Sequence, residues 1–302
     1  MDMTLEAILT ILLGVLEEGF IYGIMALGVY ITYKILDFPD LSVDGTFPLG
    51  SAVTVVLIIA GVNPLLTMVA SFCIGAFAGM IAGLIHVKLK VRDLFAGIIM
   101  MTALYSINLR IAGKANVAIF SKETIFENTL FEKYVPAIVG PFLVVIISFL
   151  ILLLMKVLLD MYLQTKSGYL LRAVGDNETI VTSLAKDKGT VKIIGLSIAN
   201  GFVALAGGIH SQKNGFFEIS SGTGTMTIGL ASVIIGTNLF KKANKIKATT
   251  AVMMGAVIYK LCVSLAIALG MEASDLKLIT SVLFLSILVI SNDRRRRNKT
   301  NA

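Results

Sequence analysis

Acidic side chains interrupt the apolar sequence at positions where a membrane protein could contact a cationic group of a solute. Asp37, Asp40 and Asp44 lie between two apolar runs, and Thr46 follows them. A carboxylate at membrane depth costs several kcal/mol and therefore normally faces a polar path or a partner. The pattern fits two interpretations: acids that line a substrate pathway and meet an ammonium group, or a solvated interfacial loop whose acids cap helices.

Two further groups of polar residues fit the same alternatives. Glu17 and Glu18 interrupt the first apolar run, where they either dock an external protein or extend to the membrane surface. A second polar break, later in the chain, contains the corresponding pathway candidates Glu218, Ser221, Thr223 and Thr225.

A polar and basic segment, residues 167–189, separates two long apolar runs. The segment contains an arginine, whose planar guanidinium donates several hydrogen bonds, and Asp and Asn residues that can cap a helix. It also contains a glycine that permits a tight turn and small residues that permit close approach. A short helix is expected to begin near Glu178, and the tight turn is expected at Gly175. These features suit a stiff segment that docks on a partner, although an ordinary basic loop is the alternative. The docking candidates are Arg172, Gly175, Asp176, Asn177, Glu178, Ala185 and Gly189.

The sequence does not suggest a catalytic or metal site. His86 and His210 are the two histidines, and neither has a partner at ligand or catalytic spacing. We therefore expect a protein that is not an enzyme, with no metal and no directly bound cofactor.

The composition is that of an integral membrane protein. Hydrophobic residues make up 56% of the 302 positions and charged residues 15%, whereas soluble domains average about 45–50% and 25%. Continuously apolar runs long enough to cross a bilayer favour helical spans over a barrel. Basic residues raise the net charge to +7, but their position after apolar spans indicates membrane topology rather than nucleic-acid binding.

The chain contains nine apolar segments. Lys and Arg in the intervening loops predict that 86–92, 162–190, 241–247 and the basic tail 292–302 are cytoplasmic. The loops 114–136, 213–224 and 271–275 would then be external, together with the N-terminus. Two short segments, each after a Gly-rich polar loop, are equally compatible with broken or re-entrant helices. The nine segments are 8–36, 47–61, 64–87, 94–113, 137–160, 191–212, 225–240, 248–270 and 276–291.

A shift of 179 positions aligns two parts of the chain. It pairs Gly45-Thr-Phe-Pro-Leu-Gly50 with Gly224-Thr-Met-Thr-Ile-Gly229, and each copy has a long helix, a polar break and a short helix. Five crossings between the copies would make them face opposite ways, as in transporters built from inverted repeats. The predicted fold is an all-α integral membrane protein with eight to ten transmembrane or re-entrant helices in two inverted repeats. It would form one transmembrane domain over 1–302, with halves at 1–160 and 191–291.

Four motifs in this order resemble the permeases of ABC importers of the branched-chain amino acid and ribose type. They are Gly23-Ile-Met-Ala-Leu-Gly28, Asp40-Leu-Ser-Val-Asp-Gly45, Arg172-Ala-Val-Gly-Asp-Asn177 and Gly229-Leu-Ala-Ser-Val-Ile-Ile-Gly236. The family usually has Asn-x-Ala-x-Gly at the first break, and this chain has Ser42-Val-Asp-Gly45. That form looks closest to a subgroup associated with tryptophan/tyrosine uptake.

The resemblance implies a bacterial cytoplasmic-membrane permease that forms a homodimer, or pairs with a close relative, and binds cytoplasmic ABC ATPase subunits. ATP and Mg would bind the ATPase, and the segment around Arg172 would couple it to the membrane helices. An external binding protein would deliver an amino acid of the aromatic or branched-chain type. Membrane lipid is the other partner, and nucleic acid is not expected. An ion-coupled secondary transporter that uses acids at helix breaks is the alternative, and a structural scaffold is a third.

Overall fold

The computed structural model describes residues 5–128, 140–176, 187–241 and 246–271, together with 275, 278, 280–282, 284–286 and 289. Long apolar stretches form helices here because a chain in lipid must satisfy its backbone hydrogen bonds internally. The helices are α1 (Leu5–Tyr30), α2 (Val43–Ile59), α3 (Pro64–Val87), α4 (Asp93–Ala112), α5 (Gly140–Leu163), α6 (Lys166–Asp176), α7 (Lys188–Asn214), α8 (Thr225–Leu239) and α9 (Ala248–Ala268). A π-helical segment (Ile31–Ile35) extends α1, a 3-10 turn (Ile219–Gly222) precedes α8, and strands β1 (Asn116–Ala118) and β2 (Phe216–Glu218) pair antiparallel.

Seven helical segments in the described part of the chain are long and apolar enough to cross a membrane, and α2 is a shorter apolar helix. The predicted all-α membrane fold is thereby confirmed. Segments predicted at 64–87, 94–113 and 137–160 correspond closely to α3, α4 and α5. The segment predicted at 276–291 is described only in part, and the single-domain assignment stays a prediction.

The bundle is built around α7, the most buried of the seven membrane-length helices. Gly75, Gly79 and Gly83 on α3 face it, four residues apart along one side of the helix. A Cβ added at Gly79 would lie 2.7 Å from Cβ of Asn200, and one at Gly83 would lie 2.9 Å from Cα of Ile193. Glycine at these three positions therefore lets α3 pack closely against α7.

The elements of the aligned parts follow the same order, with α1–α2–α3 first and α7–α8–α9 second. Their first helices run antiparallel, because Glu18 contacts Lys213 at one end while Gly28 packs against Ala199 at the other. The beginnings of α2 and α8 meet, since Asp44 accepts hydrogen bonds from the backbone at the start of α8. The inversion of the two copies across the membrane stays a prediction.

The connections gather at two ends of the bundle. At one end, His86 and Gly175 line a common cleft, and Asp160 at the end of α5 contacts Lys247 before α9. At the other end, β1 pairs with β2. This grouping agrees with the loops predicted to share a side of the membrane, and the side itself stays a prediction.

Candidate functional site

The helix α6 is a short amphipathic helix beside the membrane-length helices. Gly168, Leu171 and Val174 are buried against the bundle. The opposite side exposes Tyr169, which is 61% accessible, and also Arg172 and Asp176, at helical spacing. One side of α6 therefore packs on the bundle, and the other side is available to a partner. Tyrosine and arginine, which are exposed on that side, are common at the centres of protein interfaces.

Gly175 brings the backbone of α6 against the end of α1. A Cβ at this position would overlap the carbonyl oxygen of Ile35 and lie 3.3 Å from Cα of Leu36. The sequence predicted that Gly175 forms a tight turn, and this was wrong: the residue is helical and lies inside α6. Its role is close approach, because any side chain would separate α6 from the π-helical segment.

The far part of the polar segment is described only from residue 187. Asn177, Glu178 and Ala185 lie outside the described residues. Asp187 is the N-cap of α7, where its carboxylate accepts hydrogen bonds from the N–H groups of Gly189 (3.0 Å) and Thr190 (3.1 Å) and from the Thr190 hydroxyl (2.6 Å). These hydrogen bonds, with that of the Thr190 side chain largest, hold the pKa of Asp187 below its usual range. Gly189 is buried against Val87.

A polar cleft of roughly 340 Å³ runs beside α6. It joins the end of α1 to the loop after α3 and to the start of α7, and its charged or titratable residues are Asp37, His86, Asp93, Asp176 and Lys192. Asp37 is exposed and has a positive φ of 52°. A movement of α6 would therefore change the shape of a water-accessible space next to the break between α1 and α2.

Asp40 is fully buried in a hydrogen-bonded network that links the break to α7. Its carboxylate accepts from the Ser42 N–H at 2.9 Å and from Asn200 Nδ2 at 2.8 Å, and the Ser42 hydroxyl donates to Asn200 Oδ1 at 3.1 Å. Burial raises the pKa of Asp40 above the usual range, against the hydrogen bonds from Ser42 and Asn200 that favour the carboxylate. Thr46 is also buried and donates to the Ser42 carbonyl. These contacts fix the position of the break.

Asp44 caps a helix in the other half of the chain. Its Oδ1 accepts from the Met226 N–H at 2.7 Å and the Thr225 hydroxyl at 3.0 Å, and its Oδ2 accepts from the Gly224 N–H at 3.1 Å. A negative charge here also faces the positive end of the α8 dipole. The carboxylate therefore holds the starts of α2 and α8 together.

The remaining pathway candidates lie just before α8. Glu218 is exposed and accepts from Ser220, the Ser221 hydroxyl donates to the Glu218 carbonyl, and Thr223 is exposed. The structure thus brings Asp44 and Thr225 together at the junction of the halves and leaves Asp37 at the cleft beside α6. That any of them lines a substrate pathway stays a prediction.

A charged cluster that the sequence reasoning missed joins α1, α7 and α9. Its members are Glu17, Glu18, Lys213 and Lys260. Lys213 Nζ lies 2.7 Å from Glu18 Oε1 and 3.3 Å from Glu17 Oε2, and Lys260 Nζ lies 3.4 Å from Glu18 Oε2. Lys213 and Lys260 are 195 and 242 residues from Glu18 in sequence. The only sequence signal for this cluster was the position of Lys260 inside an apolar run, which indicates that the lysine needs an acidic partner.

The comparisons with known proteins agree with this architecture. A family model described as "Branched-chain amino acid transport system / permease component" matches residues 11–291. The chain belongs to this permease family. It is a membrane-spanning subunit of an ABC-type import system, and the family together with the seven membrane-length helices makes it a multi-pass inner-membrane protein.

Individual relatives span nearly the whole chain. A tyrosine transport system permease protein of Clostridioides difficile (strain R20291) is 40% identical over 291 residues, covering 96% of this chain and 95% of that protein. An uncharacterized protein of Rickettsia prowazekii (strain Madrid E) is 31% identical over 94% of this chain and 99% of its own length. A ribose import permease protein of Escherichia coli (strain K12) is 24% identical over 94% and 86%. No solved structure matches the chain.

Proposed function

We propose that this permease imports aromatic amino acids and is driven by a cytoplasmic ATPase that docks on the exposed side of α6. An external binding protein delivers the amino acid, and a second permease completes the membrane part. The name of the Clostridioides difficile relative, a tyrosine transport system permease protein, supports the substrate class.

The observation that carries the coupling proposal is the two-sided environment of α6. Its exposed Tyr169, Arg172 and Asp176 offer an aromatic ring, a planar cation and an acid to a partner. Its buried side contacts Ile35 through Gly175, without an intervening side chain. A displacement imposed on the exposed side would thus reach the end of α1 directly, since close-packed groups transmit strain.

The contact with Ile35 leads onward to the junction of the two halves. The π-helical segment ends one residue before Leu36, and Asp40 then binds Asn200 of α7. A change in the angle of α6 would therefore shift both the end of α1, in the first half, and α7, in the second half. Alternating access needs such a connection, because ATP binding must bias two arrangements of the membrane helices.

The proposal is tested by purifying the tagged permease from its native membrane in a mild detergent and measuring the ATPase that co-purifies. Arg172→Glu reverses one exposed charge on α6 and should reduce the recovered ATPase at least tenfold, equivalent to about 1.4 kcal/mol of docking energy. Lys241→Glu is the matched control, because it makes the same charge change at an exposed residue outside α6. Absence of any ATPase from the wild-type preparation, or equal recovery with Arg172→Glu, would contradict the docking proposal.

A further inference from the structure

The charged cluster is balanced in charge and partly accessible. It contains two carboxylates and two ammonium groups, and the side chains of Glu17, Glu18, Lys213 and Lys260 keep 16–24% of their surface accessible. They lie on or at the ends of membrane-length helices, where well-packed apolar residues would be at least as stable as ion pairs. Four accessible charges at this depth therefore point to a polar solute.

Charge balance restricts the solute that can enter. A zwitterion brings one cation and one anion, so it can replace an ion pair within the cluster without burying net charge. Its ammonium would take the place of a lysine at Glu17 or Glu18, and its carboxylate would take the place of a glutamate at Lys213 or Lys260. The hydroxyls of a sugar can hydrogen-bond to both kinds of group but carry no charge to replace an ion pair, and a simple ion supplies only one of the two charges.

Aromatic side chains adjoin the cluster on one side. Lys260 Nζ lies 3.6 Å from the centre of the Tyr22 ring, and the Tyr22 and Phe47 rings stack with centres 5.7 Å apart. His210 meets both edge-on, at 5.8 Å from Tyr22 and 5.4 Å from Phe47. Tyr22 and Phe47 are buried in this arrangement, so a substrate ring would take a stacked or edge-on place among these rings when the helices move apart.

We infer that the charged cluster, with Tyr22, Phe47 and His210, is the binding site within the permease for the zwitterion of an aromatic amino acid. The inference rests on the proposed function and adds the residues that recognise the substrate. Glu17 and Glu18 bind the α-ammonium, Lys213 and Lys260 bind the α-carboxylate, and the aromatic group contacts the substrate ring. Because the cluster joins α1, α7 and α9, the substrate binds where the two halves of the chain meet.

The test is direct binding of radiolabelled tyrosine to the purified permease–ATPase complex in lipid nanodiscs, without the binding protein. Tyrosine should bind saturably and be displaced by phenylalanine. Tyramine lacks the carboxylate and 3-(4-hydroxyphenyl)propionate lacks the ammonium, so each should compete at least about tenfold more weakly than tyrosine. This comparison uses the wild-type complex and needs no variant to fold.

Variants of the cluster then test which charged side chain binds which charged group of tyrosine. Glu18→Gln and Lys260→Met should each weaken tyrosine binding at least about tenfold, and Lys260→Arg should retain most of it. In Lys260→Met the advantage of tyrosine over tyramine should also disappear, which a purely structural role would not produce. Lys156→Met is the control, because Lys156 forms an ion pair of comparable accessibility with Asp160, 2.9 Å away, at the other end of the bundle and away from the aromatic group.

Two failures can be told apart by reconstituting the same purified complex into proteoliposomes, adding the binding protein outside, and measuring ATP-driven tyrosine uptake. Uptake without saturable binding, or binding that tyramine displaces as well as tyrosine does, would overturn this inference and leave the proposed function standing. Absence of uptake for every aromatic amino acid would overturn the proposed function and this inference with it.

Discussion

The contact between α6 and the end of α1 makes Gly175 the position where one methyl group should impair coupling. A Cβ there would overlap the Ile35 carbonyl oxygen and lie 2.8 Å from the carbonyl carbon. Carbon atoms in contact are normally about 3.5–4.0 Å apart, so α6 would have to move by roughly 1 Å. The obstructing atoms are backbone and cannot rotate away. Overpacking of this kind costs about 1–3 kcal/mol.

The expected result for Gly175→Ala is a loss of coupled transport with the ATPase still attached. ATP-driven tyrosine uptake should fall about 5-fold or more, the effect of 1–3 kcal/mol on a two-state equilibrium. The exposed Tyr169 and Arg172 are unchanged, so ATPase recovery should stay near the wild-type level. Uptake is measured in proteoliposomes, and recovery by quantitative blotting.

Gly14→Ala is the matched control for this substitution. Gly14 lies in α1, and a Cβ there would have no neighbouring atom within 4 Å. The same chemical change should therefore leave uptake unaltered and stability equal or slightly higher. If Gly175→Ala transports as well as Gly14→Ala, α6 does not act through its contact with Ile35.

Three further expectations concern single contacts. Asp44→Ala removes the cap of α8 and should lower the unfolding free energy by about 0.5–2 kcal/mol, with Asp44→Asn in between; an unchanged Tm in detergent would contradict the cap. Asn200→Ala leaves buried Asp40 without its amide donor and should cost about 1–3 kcal/mol in the same assay, so an unfolding midpoint equal to that of the wild type would speak against the network. The pKa of Asp187 is lowered by hydrogen bonds from Thr190, so its stabilising effect is present at neutral pH and is lost as the pH falls through the lowered pKa. Hydrogen exchange, corrected for the intrinsic pH dependence of the exchange rate, should show that protection of the Thr190 amide decreases at acid pH in the wild type but not in Asp187→Asn. Identical pH profiles of protection in the two proteins would refute this role.

The membrane-length helices could be predicted from the sequence because their signal is local. A continuous apolar run fixes both the length and the type of element, as in α3, where the predicted segment and the helix Pro64–Val87 coincide. The spacing of Gly75, Gly79 and Gly83 likewise predicts a packing face without knowledge of the partner helix.

The polar contacts could not be predicted, because they join residues far apart in sequence. Asp40 meets Asn200 across 160 positions, and Asp44 caps a helix that begins more than 180 positions later. Nothing near Glu18 in sequence indicates that Lys260 is its neighbour. Gly175 was misassigned for a related reason: a glycine in a polar segment suggests a turn, and only the nearby Ile35 backbone shows why a helix needs it.

The central claim, ATP-driven import of an aromatic amino acid, is tested most directly by tyrosine uptake into proteoliposomes that contain the permease and its ATPase. The binding protein is supplied outside, ATP is enclosed, and ionophores abolish sodium and proton gradients. We predict accumulation that requires enclosed ATP and persists with ionophores present. Accumulation without ATP, driven by an imposed sodium or proton gradient, would contradict this account and support an ion-coupled transporter instead.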